Sequence, residues 1–264
     1  MLEKSYRSEL LRNYVNLWGS RLIFFAGLLA LWQLLTGLNL WPPYLFPSPT
    51  QVAKSFARGL ADGTLFIAIG SSLWRLLEGY AIAIAIGMIL GVIMARVQWF
   101  KQTVGLLVLG LQALPSVCWL PLALLWFGLN EQAILFVVIM GAVFSIAQST
   151  EDGVRNTPPV YLRAARNLGA RGSQVYLSVI LPSALPSVVS GMKLGWSFAW
   201  RSLMAGELLY TLPGLGNLLN MGRELNDMSQ VIAVILVIIS LGLLTDRLVF
   251  RLLEKRVRER RGLA

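Results

Sequence analysis

Six long apolar runs, separated by short polar segments, dominate the pattern of this sequence. A helix needs about twenty apolar residues to cross the hydrocarbon core of a bilayer, where lipid offers no partner to a free backbone group. The pattern therefore predicts an all-α integral membrane protein with six transmembrane helices, at Leu22–Leu38, Leu73–Ala95, Val104–Phe127, Gln132–Ala147, Ala184–Leu203 and Val231–Phe250. No polar stretch is long enough for a soluble domain, so residues 1–264 are expected to form one transmembrane domain.

Two prolines, Pro115 and Pro121, interrupt the third apolar run. Because each proline removes a backbone donor and disrupts the turn before it, we expect this helix to kink or break. Loosened backbone at membrane depth persists only against protein or a water-filled cavity, and transporters place substrate beside such breaks. The candidate residues of a translocation pathway are Gln112, Ser116 and Trp119, with a kinked packing helix as the alternative interpretation.

Small residues recur at every fourth position of the second apolar run, at Gly79, Ala83, Gly87, Gly91 and Ala95. Such a stripe lets two helix backbones approach closely, so it predicts tight packing within the chain or across a dimer. Arg75 and Glu78 lie three residues apart at the start of this run and can pair there.

Ahead of it, Ser48 or Thr50 can cap a short interfacial helix that carries Val52, Phe56 and Leu60 on one face.

The fifth apolar run contains two cations, Lys193 and Arg201, with Glu207 close to its end. A charge near the bilayer centre costs at least ~2.5 kcal/mol, so such residues face protein or a cavity. Eight residues on a helix turn through about 80°, so both cations can address one broad face and favour an anionic substrate. In the alternative interpretation, Arg201 pairs with Glu207 and Lys193 reaches the inner surface or a gate contact.

Composition narrows the function classes. The chain is 56% hydrophobic, 14% charged and has net charge +10, and its basic residues gather beside apolar spans, which favours lipid over nucleic acid as their partner. There is no His, one Cys and no Gly-xxxx-Gly-Lys-Ser/Thr phosphate loop. We therefore expect no metal or cofactor on this chain, no ATP hydrolysis by it and no enzyme activity.

The distribution of Lys and Arg predicts the orientation. If both termini are cytoplasmic, seventeen of the twenty-three basic residues lie inside and four lie outside, and the remaining two fall within a span. This asymmetry follows the positive-inside rule, so both termini and the polar loop at about 148–182 are predicted to be cytoplasmic.

Within that loop, the stretch from Tyr161 to Gly172 has helical composition, with apolar residues among three arginines. Pro158 and Pro159 stand where a helix begins, and Gly169 loosens its end. A short amphipathic helix outside the bilayer needs a cover for its apolar side. The residues alone leave two covers open, the lipid surface or another protein.

The same loop resembles the cytoplasmic signature of ABC importer permeases, which is Glu-Ala-Ala, three residues, Gly, nine residues, Ile, one residue, Leu-Pro. The matching positions here are Arg163-Ala164-Ala165, Gly169, Val179 and Leu181-Pro182. Arg163 departs from the usual Glu and Val179 from the usual Ile. The resemblance extends to Leu45-Phe46-Pro47-Ser48-Pro49 and Leu122-Ala123-Leu124-Leu125-Trp126-Phe127-Gly128, and it is nearest to the nitrate, sulfonate and taurine branch.

The resemblance implies the fold of a type I ABC importer permease in a bacterial inner membrane. It also implies a loop helix that docks on a cytoplasmic ABC ATPase dimer, with ATP and Mg on the ATPase subunits. A second permease copy would complete the pore, and an extracytoplasmic binding protein would deliver a small anion. The implied coupling residues are Tyr161, Leu162, Arg163, Ala164, Ala165, Leu168, Gly169, Leu181 and Pro182. The alternative function is an autonomous secondary carrier or channel.

Overall fold

The computed structural model describes residues 2–38 and 40–259, with the side chains of these residues except 2–18 and 258. The C-terminal end of the basic tail, residues 260–264, lies outside the described residues. Within the described ranges the regular secondary structure is helical, which confirms the predicted all-α class. The helices are α1 Leu2–Gly37, α2 Pro49–Ala61, α3 Thr64–Arg96, α4 Gln98–Gln112, α5 Ser116–Phe127, α6 Glu131–Arg155, α7 Pro159–Asn167, α8 Ser173–Leu209, α9 Leu215–Glu224 and α10 Met228–Val257.

Five of these helices contain a segment long and apolar enough to cross a membrane: α1 from Gly19, α3, α6, α8 and α10. The pair α4 and α5 makes a sixth span if the two are counted together, and they meet at an angle of 107°. The helices run beyond the predicted apolar runs because the residues next to those runs also adopt helical backbone. The second run, for example, was predicted from Leu73, and its helix begins at Thr64.

The predicted break in the third run is confirmed, and its two prolines act differently. Pro115 is extended, with ψ at 135°, and it separates the end of α4 from the 3₁₀ turn that opens α5. Pro121 lies in the first turn of the α-helical part of α5, where a missing N–H costs nothing. Only Pro115 therefore breaks the span.

The core of the bundle is α6, packed between α3 and α8. The small-residue stripe of α3 faces α6: a Cβ added at Gly79 would lie 2.8 Å from Val138 Cγ1, and one at Gly87 would lie 2.9 Å from Ile146 Cβ. On the opposite side of α6, Gly195 of α8 approaches Ile146 in the same way. The tight packing predicted for the stripe thus occurs within the chain.

Helix α2 is capped by Ser48, one of the two residues predicted to cap it. The Ser48 hydroxyl accepts a hydrogen bond from the Gln51 backbone N–H, and the Gln51 side chain accepts one from the Ser48 N–H, which forms a capping box. Of its apolar face, Val52 is buried and Phe56 is exposed.

Two ends of the bundle carry its polar groups. The Glu207 end consists of the starts of α3 and α6, the end of α8 and helix α9. The Ala165 end consists of the ends of α3 and α6, the start of α8 and helix α7.

Candidate functional site

Helix α7 is bounded by local backbone chemistry. It starts after Pro158 with Pro159 at its first position, as predicted. It ends in a Schellman motif, in which the Ala170 N–H donates to Ala165 O at 3.0 Å and the Gly169 N–H donates to Arg166 O at 3.0 Å. Gly169 has φ of +86°, a conformation that favours glycine. The loop therefore needs glycine at this position for its backbone, and a Cβ there would meet no atom within 4 Å.

The apolar side chains of α7 point in two directions. Ala165 is buried against the bundle, whereas Leu168 is 89% exposed, Val160 is 59% exposed and Tyr161 is 54% exposed. Exposure of a leucine to this degree in water forgoes most of the stabilisation that its burial would bring, about 1.5–3 kcal/mol. This face of α7 is uncovered by the described residues.

A groove of about 660 Å³ lies between α7 and the first turns of α8. Its lining includes Tyr161, Ala164, Ala165, Leu168, Val179 and Pro182. Leu162 faces a second groove, of about 610 Å³, on the other side of α7. Leu181 is exposed beside Pro182. The structure thus brings most of the predicted coupling residues together on one surface.

Arg163 stands apart from that groove. Its side chain is exposed, and it forms no ion pair within the part of the chain that the structure describes. At the position where the family signature has Glu, this chain therefore has an arginine without an acidic partner among the described residues.

Two polar contacts that the sequence analysis missed brace the Ala165 end. The Lys101 ammonium of α4 lies 2.5 Å from a Glu151 carboxylate oxygen of α6, and Glu151 is buried. The Arg96 guanidinium of α3 lies 3.5 Å from the ring centroid of Tyr176, at the start of α8. These residues are remote in sequence, so no periodicity or spacing could have paired them.

A cavity of about 380 Å³ lies at the break between α4 and α5. It brings together four of the six predicted pathway residues, namely Gln112, Ser116, Trp119 and Arg201. Its other walls come from α6 and α8 and include Phe144 and Phe198.

Lys193 and Glu207 do not reach this cavity. The Lys193 ammonium lies 3.1 Å from an Asp246 carboxylate oxygen and 3.6 Å from one of Glu254, so it ties α8 to α10. Glu207 lies at the other end of the bundle, paired with Arg75. The pairs Arg201–Glu207 and Arg75–Glu78 offered by the sequence analysis are wrong, because Arg75 takes Glu207 and also Glu131 at 3.0 Å.

The Glu207 carboxylate has no exposed surface and is fully hydrogen-bonded. It accepts from Arg75 Nη1 at 3.0 Å, from Ser72 Oγ at 2.7 Å and from the Gly216 N–H at 3.0 Å. The Ser72 hydroxyl in turn accepts from the Leu215 N–H at 2.9 Å. The carboxylate therefore holds the loop before α9 against α3.

Comparison with known proteins agrees with the resemblance seen in the loop. Residues 83–259 match the model of the family described as "Binding-protein-dependent transport system inner membrane component". The chain is 32% identical to the putative aliphatic sulfonates transport permease protein SsuC of Escherichia coli, over 84% of both chains. It is 30% identical to the taurine transport system permease protein TauC of Escherichia coli, over 88% of this chain and 86% of that one. It is 28% identical to the nitrate import permease protein NrtB of Synechocystis, over 86% of this chain and 85% of that one.

A solved structure shares the fold. The superposition with a chain of the MetNI methionine ABC transporter, in an inward-facing conformation, has a TM-score of 0.58 at 19% identity and covers 72% of this chain and 96% of that one. The type I importer permease architecture expected from the sequence is thus found, as a multi-pass helical membrane protein. This chain belongs to the family of binding-protein-dependent transport system inner membrane components, the non-catalytic permease subunits of ABC importers.

Proposed function

We propose that this permease imports a small anion and receives its driving force through α7, which docks on a cytoplasmic ABC ATPase dimer. The observation that carries the proposal is the uncovered apolar face of α7, where Leu168 is 89% exposed beside the groove formed with α8. A partner that fills this groove buries apolar surface that the chain cannot bury by itself. ATP and Mg are bound by the ATPase subunits and not by this chain.

The braces at the Ala165 end support a mechanical role for α7. Ala165 is buried, and the start of α8 is tied to α3 by the contact of Arg96 with Tyr176. A force on α7 therefore reaches packed helices and is not absorbed by a loose loop.

The proposed orientation places the Ala165 end and both termini in the cytoplasm. The support is the excess of Lys and Arg on that side, seventeen residues against four. The Glu207 end then faces outward, where an extracytoplasmic binding protein delivers the solute.

We further propose that two identical copies meet around the pore. The described part of one chain supplies at most six spans, and its cavity at the broken span is open on one side. A second copy of the same chain would close that side. The anionic character of the solute is supported by Arg201 in the cavity, and the relatives are named for sulfonates, taurine and nitrate.

An autonomous secondary carrier would need a titratable or ion-coupling carboxylate inside the spans. The buried carboxylates of the described residues, Glu151 and Glu207, are each held in an ion pair. We therefore favour the ATP-driven mechanism.

The test is recovery of ABC ATPase subunits with the tagged permease after co-expression of the two proteins. Leu168→Ser should lower that recovery severalfold or more, because the substitution removes an apolar contact that only a partner makes. The matched control is Leu225→Ser, which changes a leucine that is 70% exposed at the opposite end of the bundle. Equal recovery for both variants would refute docking through α7 and would favour a lipid cover for this helix.

A further inference from the structure

The cavity at the broken span combines apolar walls with a cation that forms no ion pair among the described residues. Arg201, Gln112 and Ser116 line it together with Trp119, Phe144 and Phe198. We propose that this cavity is a solute-contact site within the permease, and that it takes an organic oxyanion with an apolar segment, such as an alkanesulfonate or an aliphatic carboxylate. The inference rests on the proposed function, because it names the substrate class and the contact residues of that transporter.

Arg201 supplies the anion-binding group. Within the described residues its hydrogen bonding is limited to the Nε–H, which donates to the Ser197 carbonyl at 3.2 Å, and its guanidinium lies 4.9 Å from the ring centroid of Phe198. The other cation of α8, Lys193, is by contrast held by Asp246 and Glu254. The remaining N–H groups of Arg201 form a planar fork that matches a carboxylate or sulfonate.

Gln112 supplies a second polar group in the lining of the cavity. Its Oε1 atom is buried without a hydrogen-bond partner, at the last turn of α4 beside the break. Buried polar groups in native proteins are almost always satisfied, so an amide oxygen without a partner that lines a cavity points to a water molecule or to an amide turned the other way. Turned over, the Gln112 amide presents its NH₂ group, which donates to an anion whose own oxygens only accept. Ser116, on the far side of Pro115, also lines the cavity.

The walls determine which anions fit. The cavity of about 380 Å³ holds the volume of roughly a dozen waters, and much of its lining is Trp119, Phe144, Phe198, Met140 and Leu111. An inorganic oxyanion fills a small part of that volume and leaves these apolar surfaces against water. A solute with an apolar segment covers them while its charged head meets Arg201. The cavity therefore selects organic anions over bare nitrate or sulfate.

Because Trp119 lines the cavity, binding there can be measured by quenching of tryptophan fluorescence. The full-length permease, in nanodiscs of phosphatidylcholine, is titrated with 3-bromopropanesulfonate, whose bromine quenches tryptophan fluorescence on contact. We expect saturable quenching that is largely lost in Trp119→Phe, because Trp119 lines the cavity. In Arg201→Met the apparent Kd should rise roughly tenfold or more, and in Arg201→Lys it should rise less. The charge-matched control Arg223→Met, at an exposed arginine of α9, should leave the Kd unchanged.

Competition separates the possible ligands. We expect 1-butanesulfonate to displace the probe and nitrate to leave it bound at the same concentration. Equal displacement by nitrate would overturn the requirement for an apolar segment. Loss of quenching on adding phosphatidylglycerol to the nanodisc would show that the cavity takes a lipid headgroup, which also refutes the proposal.

Unsaturable quenching, or quenching unaffected by Arg201→Met in a variant that elutes and melts like the parent chain, would show that the cavity is not an anion site. This measurement contains no ATPase. A negative binding result would therefore not contradict docking of an ATPase on α7. Loss of ATPase recovery would likewise not contradict anion binding in the cavity.

Discussion

At the Glu207 end of the bundle, a carboxylate with no exposed surface is hydrogen-bonded to Arg75, to Ser72 and to the backbone of the loop before α9. At the Ala165 end, α7 leaves Leu168 89% exposed and Arg163 without an ion pair among the described residues. The first end satisfies its polar groups within one chain, whereas the second leaves apolar groups uncovered. The contrast separates residues that hold the fold from residues for which we propose a partner.

The difference also appears in the glycines. Gly216, at the Glu207 end, is needed for space, because an added Cβ would lie 2.6 Å from Glu207 Cβ. Gly169, at the Ala165 end, is needed for its backbone conformation, with φ of +86° and open space around it. Substitutions at the Glu207 end should therefore lower the stability of the chain itself. Substitutions at the Ala165 end should mainly lower its association with the proposed ATPase.

The largest effect on stability is expected for Glu207→Ala. The substitution removes the carboxylate but leaves the buried Arg75 cation with Glu131, which is 62% exposed, and leaves the Ser72 hydroxyl and the Gly216 N–H short of an acceptor. Breaking a buried pair in this way costs about 3–5 kcal/mol. Thermal unfolding of the purified chain in detergent measures the loss. Glu78→Ala is the control, because Glu78 is exposed on the same helix as Arg75; equal melting of both variants would show that the Glu207 cluster does not stabilise the fold.

A smaller loss is expected for Gly216→Ala. The new methyl group collides with Glu207 and lies 3.0 Å from the Met204 carbonyl oxygen, and overpacking of this kind costs about 1–3 kcal/mol. The control is Gly70→Ala, where an added Cβ meets nothing within 4 Å and the helix gains up to about 1 kcal/mol. Opposite shifts in melting temperature are expected, and a stabilised Gly216→Ala variant would contradict the close packing of this loop.

Gly169→Ala should lower the stability of the chain by only about 1 kcal/mol, because it strains the left-handed turn without any collision. Its main effect is expected in the recovery of ATPase subunits, since the turn positions Leu168 at the groove. Gly169→Asn is the matched control, because asparagine tolerates the left-handed region better than alanine does. Recovery that falls with alanine and returns with asparagine would assign the effect to the backbone; recovery unchanged in both would remove this turn from the docking surface.

The smallest effect is expected for Arg163→Glu, which places the usual family residue at this position. The side chain is exposed and forms no ion pair among the described residues, so the stability should change by less than about 0.5 kcal/mol. ATPase recovery should also be retained if Ala164, Ala165 and Gly169 carry the fit. Complete loss of recovery would instead show that Arg163 has its own acidic partner on the ATPase.

The features predicted correctly from the sequence are those with local causes. The spans follow from runs of apolar residues, the start of α2 from a polar cap for which Ser48 was one of two candidates, and the break in the third run from Pro115. The second proline shows the limit of such reasoning, because Pro121 begins a helical turn and does not break one. A proline's effect depends on its position in a helix, and that position was not known in advance.

The pairing of charges could not be predicted. The sequence offered Glu78 for Arg75 and Glu207 for Arg201, because these residues are neighbours along a helix. The structure pairs Arg75 with Glu207, 132 residues away, and Lys193 with Asp246 of α10. The cation that remains in the cavity, Arg201, is identified only once these partners are assigned.

The apolar runs and the prolines by themselves determined a helical membrane protein with a broken third span and a short helix in its polar loop, because lipid and backbone chemistry act on consecutive residues. The loop signature added the family. Tertiary structure alone decided which charges neutralise each other, which glycines need space, and which polar groups gather at the break. Those outcomes depend on helices that meet in space, and the separation of residues along the chain carries no information about that meeting.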